Sequence, residues 1–308
     1  MDYEGEPLAA SYNAAKAAAD GQKLLPAGAL KNKNSFRLYT RRLWMQLMSA
    51  YIAAPIREVY PEASVTNWIA TLSLPQFPLL SCDNLAHPPM GPTLFTASNP
   101  VAYGIDAAFM HNSVKPPRTQ LAVDRTYMVI LLRQVSADAY ARGRVAPEIK
   151  CVPWVARWVV DHPEKKTPMM SHSAYREALR HLWLRGVDAM QIFNPVRKAY
   201  RELTIQEVED AVAVYNEMLG FRKFLDYGQP MNFAYPTAQT DSIVWSGLRL
   251  KNQALVRIFP LSGHRESLHV EPWPGTEVEL EVAPAGVTYL LQRNEGREKI
   301  TAKKLTQD

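Results

Sequence analysis

Between Ser35 and Tyr60, apolar side chains return every three or four residues: Phe36, Tyr39, Leu43, Trp44, Leu47, Met48, Tyr51 and Ile52. That period stacks them along one side of a helix, and Pro55, which lacks an N–H, predicts a kink or stop near its end. Beyond Pro61-Glu62, the run Ala63 to Ala70 (ASVTNWIA) reads as a strand. Residues 72–100 are proline-rich without a period and read as a long loop, of the kind that walls a cleft. Residues 99–110 (NPVAYGIDAAFM) read as a buried strand, 121–142 as a second long helix closed by Gly143, and 151–160 (CVPWVARWVV) as a further strand. Ser171 or Ser173 caps a third helix that Gly186 ends, and strand 186–194 (GVDAMQIFN) follows at once. Thr204 and Glu207 read as a capping box (TIQE) opening a fourth helix that runs towards Gly228.

Residues 35–228 therefore alternate helix and strand, the α/β pattern of a parallel sheet. After Pro236 the texture changes. DSIVWSGLRL, ALVRIFPL, SLHVEPW, TEVELEVA and GVTYLLQR are short alternating segments split by Gly, Pro and Asn, which predicts an antiparallel β-sandwich over 237–295 and a polar tail over 296–308.

Composition narrows the function classes. No apolar run approaches the roughly 18 residues of a membrane span, so no membrane partner is expected. The net charge is +5, but Lys and Arg are spread along the helices among acids. Nucleic acid is accordingly not an expected partner. Cys82 and Cys151 are isolated, and His172 and His181 lack metal-ligand spacing, so no metal and no cofactor are expected. No export signal is visible at the start; the localisation is left open, secreted or periplasmic if the reading frame begins upstream.

The candidate chemistry lies at the ends of the predicted strands, where parallel α/β sheets bind ligands. Those ends offer Asn67 and Trp68, Tyr103 and Asp106, Arg157 and Trp158, and Gln191 and Asn194. Amides and acids hydrogen-bond hydroxyls, and an indole covers the apolar face of a sugar ring. Core packing is the competing reading for Trp68 and Trp158. Asp2 and Glu4 at the start form a D-x-E pair. On a strand both would face one way, and each would raise the other's proton affinity, so that one could serve as a general acid. An acidic, solvated terminus is the plain alternative.

The order D-x-E, long helix, strand ending in Trp and proline-rich loop, followed by SHSAYREALRHLWLRGVDAMQIFN, resembles the middle and end of a hyaluronidase-type (β/α)-barrel glycoside hydrolase, over about residues 2–194. The resemblance implies a (β/α)8 TIM-type barrel represented by strands four to eight, N-terminally incomplete, over residues 1–236, with a sandwich behind it. It implies Glu4 as catalytic acid, Asp2 as the carboxylate orienting a substrate acetamido group, and Tyr103 as an assisting residue. Phe193-Asn194 stands where that family carries a Trp. A conventional pair of Glu4 or Glu6 with Asp106 is therefore the alternative within the class. The expected function is hydrolysis of O-glycosidic bonds in a poly- or oligosaccharide. A non-catalytic carbohydrate-binding or structural protein is the second reading. An incomplete barrel would also expose a parallel edge and invite self-association.

Overall fold

The computed structural model describes residues 12–18, 25–69, 96–102, 119–145, 147–157, 169–194, 200–232, 243–261, 267–294 and 300–305. Helix α1 (Tyr12–Ala17) precedes α2 (Lys33–Met48), a π-helical turn (Ser49–Ala53) and α3 (Ala54–Val59). The widened turn lies just before Pro55. Proline has no N–H for the carbonyl one turn back and its ring crowds that carbonyl. The chain relieves the clash with a π turn, in which the Ala54 N–H reaches the Ser49 carbonyl.

Five short strands then pair in parallel: β1 (Thr66–Ile69), β2 (Ala97–Ala102), β3 (Lys150–Cys151) and β4 (Trp154–Val155), both against β2, and β5 (Gln191–Ile192). Helix α4 (Gln120–Val145) connects β2 to β3, and α5 (His172–Trp183) connects β4 to β5. Helices α6 (Arg201–Leu219) and α7 (Arg222–Tyr227) lead to β6 (Gln229–Pro230). Strands β7 (Ile243–Arg249), β8 (Gln253–Pro260), β9 (Ser267–Trp273), β10 (Thr276–Glu281), β11 (Val287–Arg293) and β12 (Ile300–Leu305) follow.

The chain does not form the expected partial (β/α)8 barrel. The parallel strands form an open sheet in the order β1-β2-β4-β5, and no barrel closure is present among the described residues. The dominant sheet is antiparallel, in the order β12-β11-β8-β7-β6. The fold is mixed. Helices cover one face of the antiparallel sheet and the β9–β10 hairpin covers the other. The alternation along β8 shows why. Leu255 joins the core formed by α4, α5 and α6, while Ala254, Val256 and Ile258 join Val270, Trp273 and Leu280 of the hairpin. The helical core runs across residue 236, because Val244, Leu248 and Leu255 pack with Tyr127, Leu131, Leu179 and Leu182. Ile300–Leu305, expected in a polar tail, is the edge strand paired with β11. Its exposed Lys303 and Lys304 suit a strand edge.

Arg257 also points from β8 to the helical side. It is 2% exposed, and its Nε and Nη2 donate to the two carboxylate oxygens of Glu177 on α5, at 2.8 and 2.7 Å. Its Nη1 donates to Thr288 Oγ1. Gly286, at φ 76°, lets the backbone pass so close that an added Cβ would lie 2.6 Å from the guanidinium. Burial alone would raise the Glu177 pKa; His181 and the bidentate Arg257 reverse this and hold it at about 2.

Helix α5 is tied to the sheet again about two turns on, just past its end. Arg185, fully buried after the helix end, donates through Nε to Ser246 Oγ at 2.8 Å, through Nη2 to the Trp245 carbonyl, and through Nη1 to Ser136 of α4. Burial pulls its pKa down to about 9. His181 Nδ1 lies 2.8 Å from the same Ser246 hydroxyl. Gly186 takes the left-handed conformation at φ 82°, turning the chain back after the helix.

Replacing Glu177 by Gln leaves Arg257 charged and buried, and is expected to cost about 3–5 kcal/mol in urea unfolding. Pairing Glu177→Leu with Arg257→Met should cost less than either single change. Because the folded-state pKa of Glu177 is depressed from 4.5 to about 2, its stabilisation is complete above pH 4.5 and lost as pH falls towards 2. Acid unfolding should therefore steepen in that window for the wild-type chain and flatten in the Gln variant.

Candidate functional site

Among the described residues, an opening lies where the N-terminal halves of α4, α5 and α6 meet the end of β8 and the turn before β11. It is a cleft of about 1110 Å³. Its apolar wall includes Leu121, Met128, Phe259 and Leu261. Its polar lining includes Asp124, Arg125, His172, Arg176, Gln206, Glu209 and Asp210, with Glu177 and Arg180 at the base.

Capping chemistry shapes the rim. Ser171, in extended backbone at the N-cap of α5, accepts the Ala174 N–H. Its own N–H and hydroxyl donate to the carboxylate of Asp124 on α4, at 2.7 and 2.6 Å. Asp124 therefore fixes where α5 begins. Arg125, which also lines the cleft, donates through Nε to the Leu261 carbonyl at 2.6 Å, which fastens α4 to the end of the sheet.

On the opposite side, Asp210 of α6 is buried and receives two partners from α5. His172 Nδ1 lies 2.5 Å from Oδ2, and Arg176 Nε donates to Oδ1 at 2.7 Å. One turn further, Arg180 donates to both oxygens of Glu217 and to Glu177. Arg176, Arg180 and His172 thus close the α5–α6 seam. With Nδ1 held by Asp210, the His172 ring leaves Nε2 for a ligand or water; its side chain is 48% exposed.

The strand-end residues named from the sequence fall elsewhere. Asp2, Glu4, Tyr103, Asp106 and Trp158 lie outside the described residues. Asn67 and Trp68 belong to β1. Gln191 opens β5 and is half-buried. Arg157 and Asn194 do come together, just beyond β4 and β5, but in a closed joint and away from the cleft. The Arg157 backbone N–H donates to Glu207 Oε1 at 2.6 Å, and Asn194 Nδ2 donates to Oε2 at 2.7 Å. Arg157 Nε donates to the Met170 carbonyl. Both residues and Glu207 are buried.

Glu207 was expected in a capping box. Helix α6 instead begins at Arg201, so Thr204 and Glu207 stand inside it, and the Thr204 hydroxyl donates to the Tyr200 carbonyl. Burial raises the Glu207 carboxyl, opposed by hydrogen bonds from Asn194 and Arg157. The Tyr175 phenol lies against it, fully buried and without hydrogen-bond alignment. Burial, then the Glu207 charge, push it well above its ordinary value.

Sequence reasoning missed the cleft residues themselves. Asp124, His172, Arg176 and Asp210 lie on three different helices and share no local motif. The one signal for them was the Ser171 cap that starts α5. Among the described residues, no group of three or more His, Cys, Asp or Glu side chains is placed to hold a metal, and no helix is long and apolar enough to cross a membrane.

Comparison with protein-family models, with curated proteins and with solved structures finds no match to this chain.

Replacing Ser171 by Ala removes the cap of α5 and one of the two bonds to Asp124. A loss of about 1 kcal/mol in urea unfolding is expected, with Asp124→Ala costing at least as much because it releases both.

Proposed function

We propose that the cleft binds a polyhydroxylated ligand, an oligosaccharide, and that the chain is a carbohydrate-binding protein. The observation that carries this reading is the mixed lining. Acceptors (Asp124, Glu209), a two-sided amide (Gln206) and donors (Arg125, Arg176) face one apolar wall with an aromatic ring, Phe259. The lining carries both acids and bases, and no single sign of charge dominates. A ligand that both gives and accepts hydrogen bonds and has one apolar face fits such a lining better than a polyanion or a purely apolar molecule. The cleft volume lies at or just above the upper end of the usual small-molecule range, which suits a few linked sugar rings.

Hydrolysis is the second reading, favoured by the His172–Asp210 pair. An aspartate on Nδ1 orients the imidazole and leaves Nε2 as the proton acceptor, an arrangement suited to activating water or a hydroxyl. The glycosidase pair expected from the sequence, Asp2 and Glu4, would be a separate route to the same chemistry.

The two readings separate in one set of experiments. Binding is measured by titration calorimetry against neutral and acidic oligosaccharides, after a glycan-array screen. Phe259→Ala and Arg176→Ala should each weaken binding at least tenfold, about 1.4 kcal/mol. If neither variant changes binding, the saccharide does not occupy this cleft. Turnover is assayed on the bound oligosaccharides. Loss in His172→Gln with binding retained supports the imidazole route, whereas loss in Glu4→Gln with His172→Gln active supports the carboxylate route. Binding without turnover in the wild-type chain leaves the binding function.

A further inference from the structure

The joint beyond β4 and β5 holds two buried donors that the hydrogen bonds described above leave over. Arg157 is 6% exposed and Tyr175 is wholly enclosed. Arg157 uses its backbone N–H on Glu207 and its Nε on the Met170 carbonyl, yet its buried Nη1 meets no acceptor among the described residues. The Tyr175 hydroxyl is buried without a hydrogen-bond partner as well. A buried donor left unpaired loses its hydration and gains nothing in return, and the loss is larger for a charged donor. Buried polar groups are ordinarily paired, so two such donors beside one carboxylate call for an explanation.

The two donors belong to one site, centred on Glu207. Tyr175 lies against that carboxylate from α5, and Arg157 bonds it from the end of β4. The Arg157 charge acts on the phenol and on the carboxyl alike. Each Glu207 oxygen accepts one N–H, from Arg157 at 2.6 Å and from Asn194 at 2.7 Å, and each therefore keeps a lone pair. We propose that one internal water molecule joins the three side chains, accepting from Arg157 Nη1 and Tyr175 Oη and donating to Glu207. About three hydrogen bonds is the usual number for a buried water, and this site offers that number in the right sense.

Charge decides between a water and a small anion. Glu207 accepts N–H bonds on both oxygens, as a carboxylate does, and is the counter-charge of Arg157. An added anion would be set against that carboxylate in a place of low dielectric, whereas a water adds no charge. The position of the water gives it a task. Tyr175 stands about a turn after His172 on α5, and Glu207 about a turn before Asp210 on α6. The hydrated joint therefore braces the same parts of α5 and α6 that make the His172–Asp210 contact at the cleft.

The test uses the full chain and counts long-lived internal waters by magnetic relaxation dispersion of the water oxygen, with urea unfolding alongside. Tyr175→Phe should lose one long-lived water relative to the wild type, and its unfolding equilibrium constant should rise about fivefold. An equal water count in the two chains overturns the site. So does a Phe variant as stable as the wild type or more so, because deleting a hydroxyl that has no partner relieves its burial cost. Wild-type stability that climbs with chloride concentration, and stops climbing in Tyr175→Phe, assigns the place to an anion and overturns the water. Arg157→Lys, which keeps the charge and removes Nη1, should lose the same water and reads the same outcome should Tyr175→Phe not fold.

Discussion

One buried ion pair organises this molecule. Glu177 reaches from α5, and Arg257 from β8, into a space from which both are almost wholly excluded from water. Two charges in such a place are tolerable only when each is fully hydrogen-bonded by the other and by neighbours. That requirement fixes the distance and rotation of α5 against the antiparallel sheet. The cleft inherits its base from this joint. Glu177 and Arg180 form its floor, and Phe259, two residues beyond Arg257 and on the same side of β8, forms part of its wall. Without the pair, neither the separation of the helix from the strand end nor the width of the opening would be determined.

Around this pair the proton positions follow from donor and acceptor counts. Ser246 Oγ accepts the Arg185 Nε–H, so its own proton is available to His181 Nδ1. That leaves the His181 proton on Nε2, which points towards Glu177 Oε1 at 3.3 Å, outside hydrogen-bond alignment. A neutral His181 agrees with the downward pull of burial on its pKa. The contrast with Glu207 is instructive. Both glutamates are buried, yet Glu177 is held low and Glu207 is raised. Glu177 has a guanidinium in bidentate contact. Glu207 has a backbone N–H and an amide, which stabilise a carboxylate less than a full charge does.

The local elements were legible in the sequence, and their assembly was not. The apolar period over 35–60 marks real helix, and Pro55 marks the place where it is disturbed. The alternating segments after Pro236 are strands. The runs containing Trp154 and Gln191 are parallel strands, though only two residues of each pair as such. What failed was the step from alternating helix and strand to part of a (β/α)8 barrel, strands four to eight. The pattern specifies a parallel sheet but not how many strands complete it, and the antiparallel sheet supplies the surface that further βα units would have offered. The strand-end rule found Arg157 and Asn194 but could not show that Glu207 seals them into a structural joint. The cleft was invisible because its side chains come from α4, α5 and α6 at separations of 34 to 47 residues, where no spacing rule applies.

Helix α6 shows most clearly why such a chain resists reading from periodicity alone. An ordinary amphipathic helix has one apolar face, and its sequence announces it. This helix serves three surroundings at once. Val214 and Met218 face the core, Glu209 and Asp210 face the cleft, and Ile205 to Leu219 face outward. Apolar residues therefore occur around more than half of its circumference, while three acids, Glu207, Asp210 and Glu217, are drawn inward by specific partners. The one-faced signal is diluted from both directions. The residues that dilute it are the ones that carry information beyond the fold. Inward acids mark the joints that hold α5.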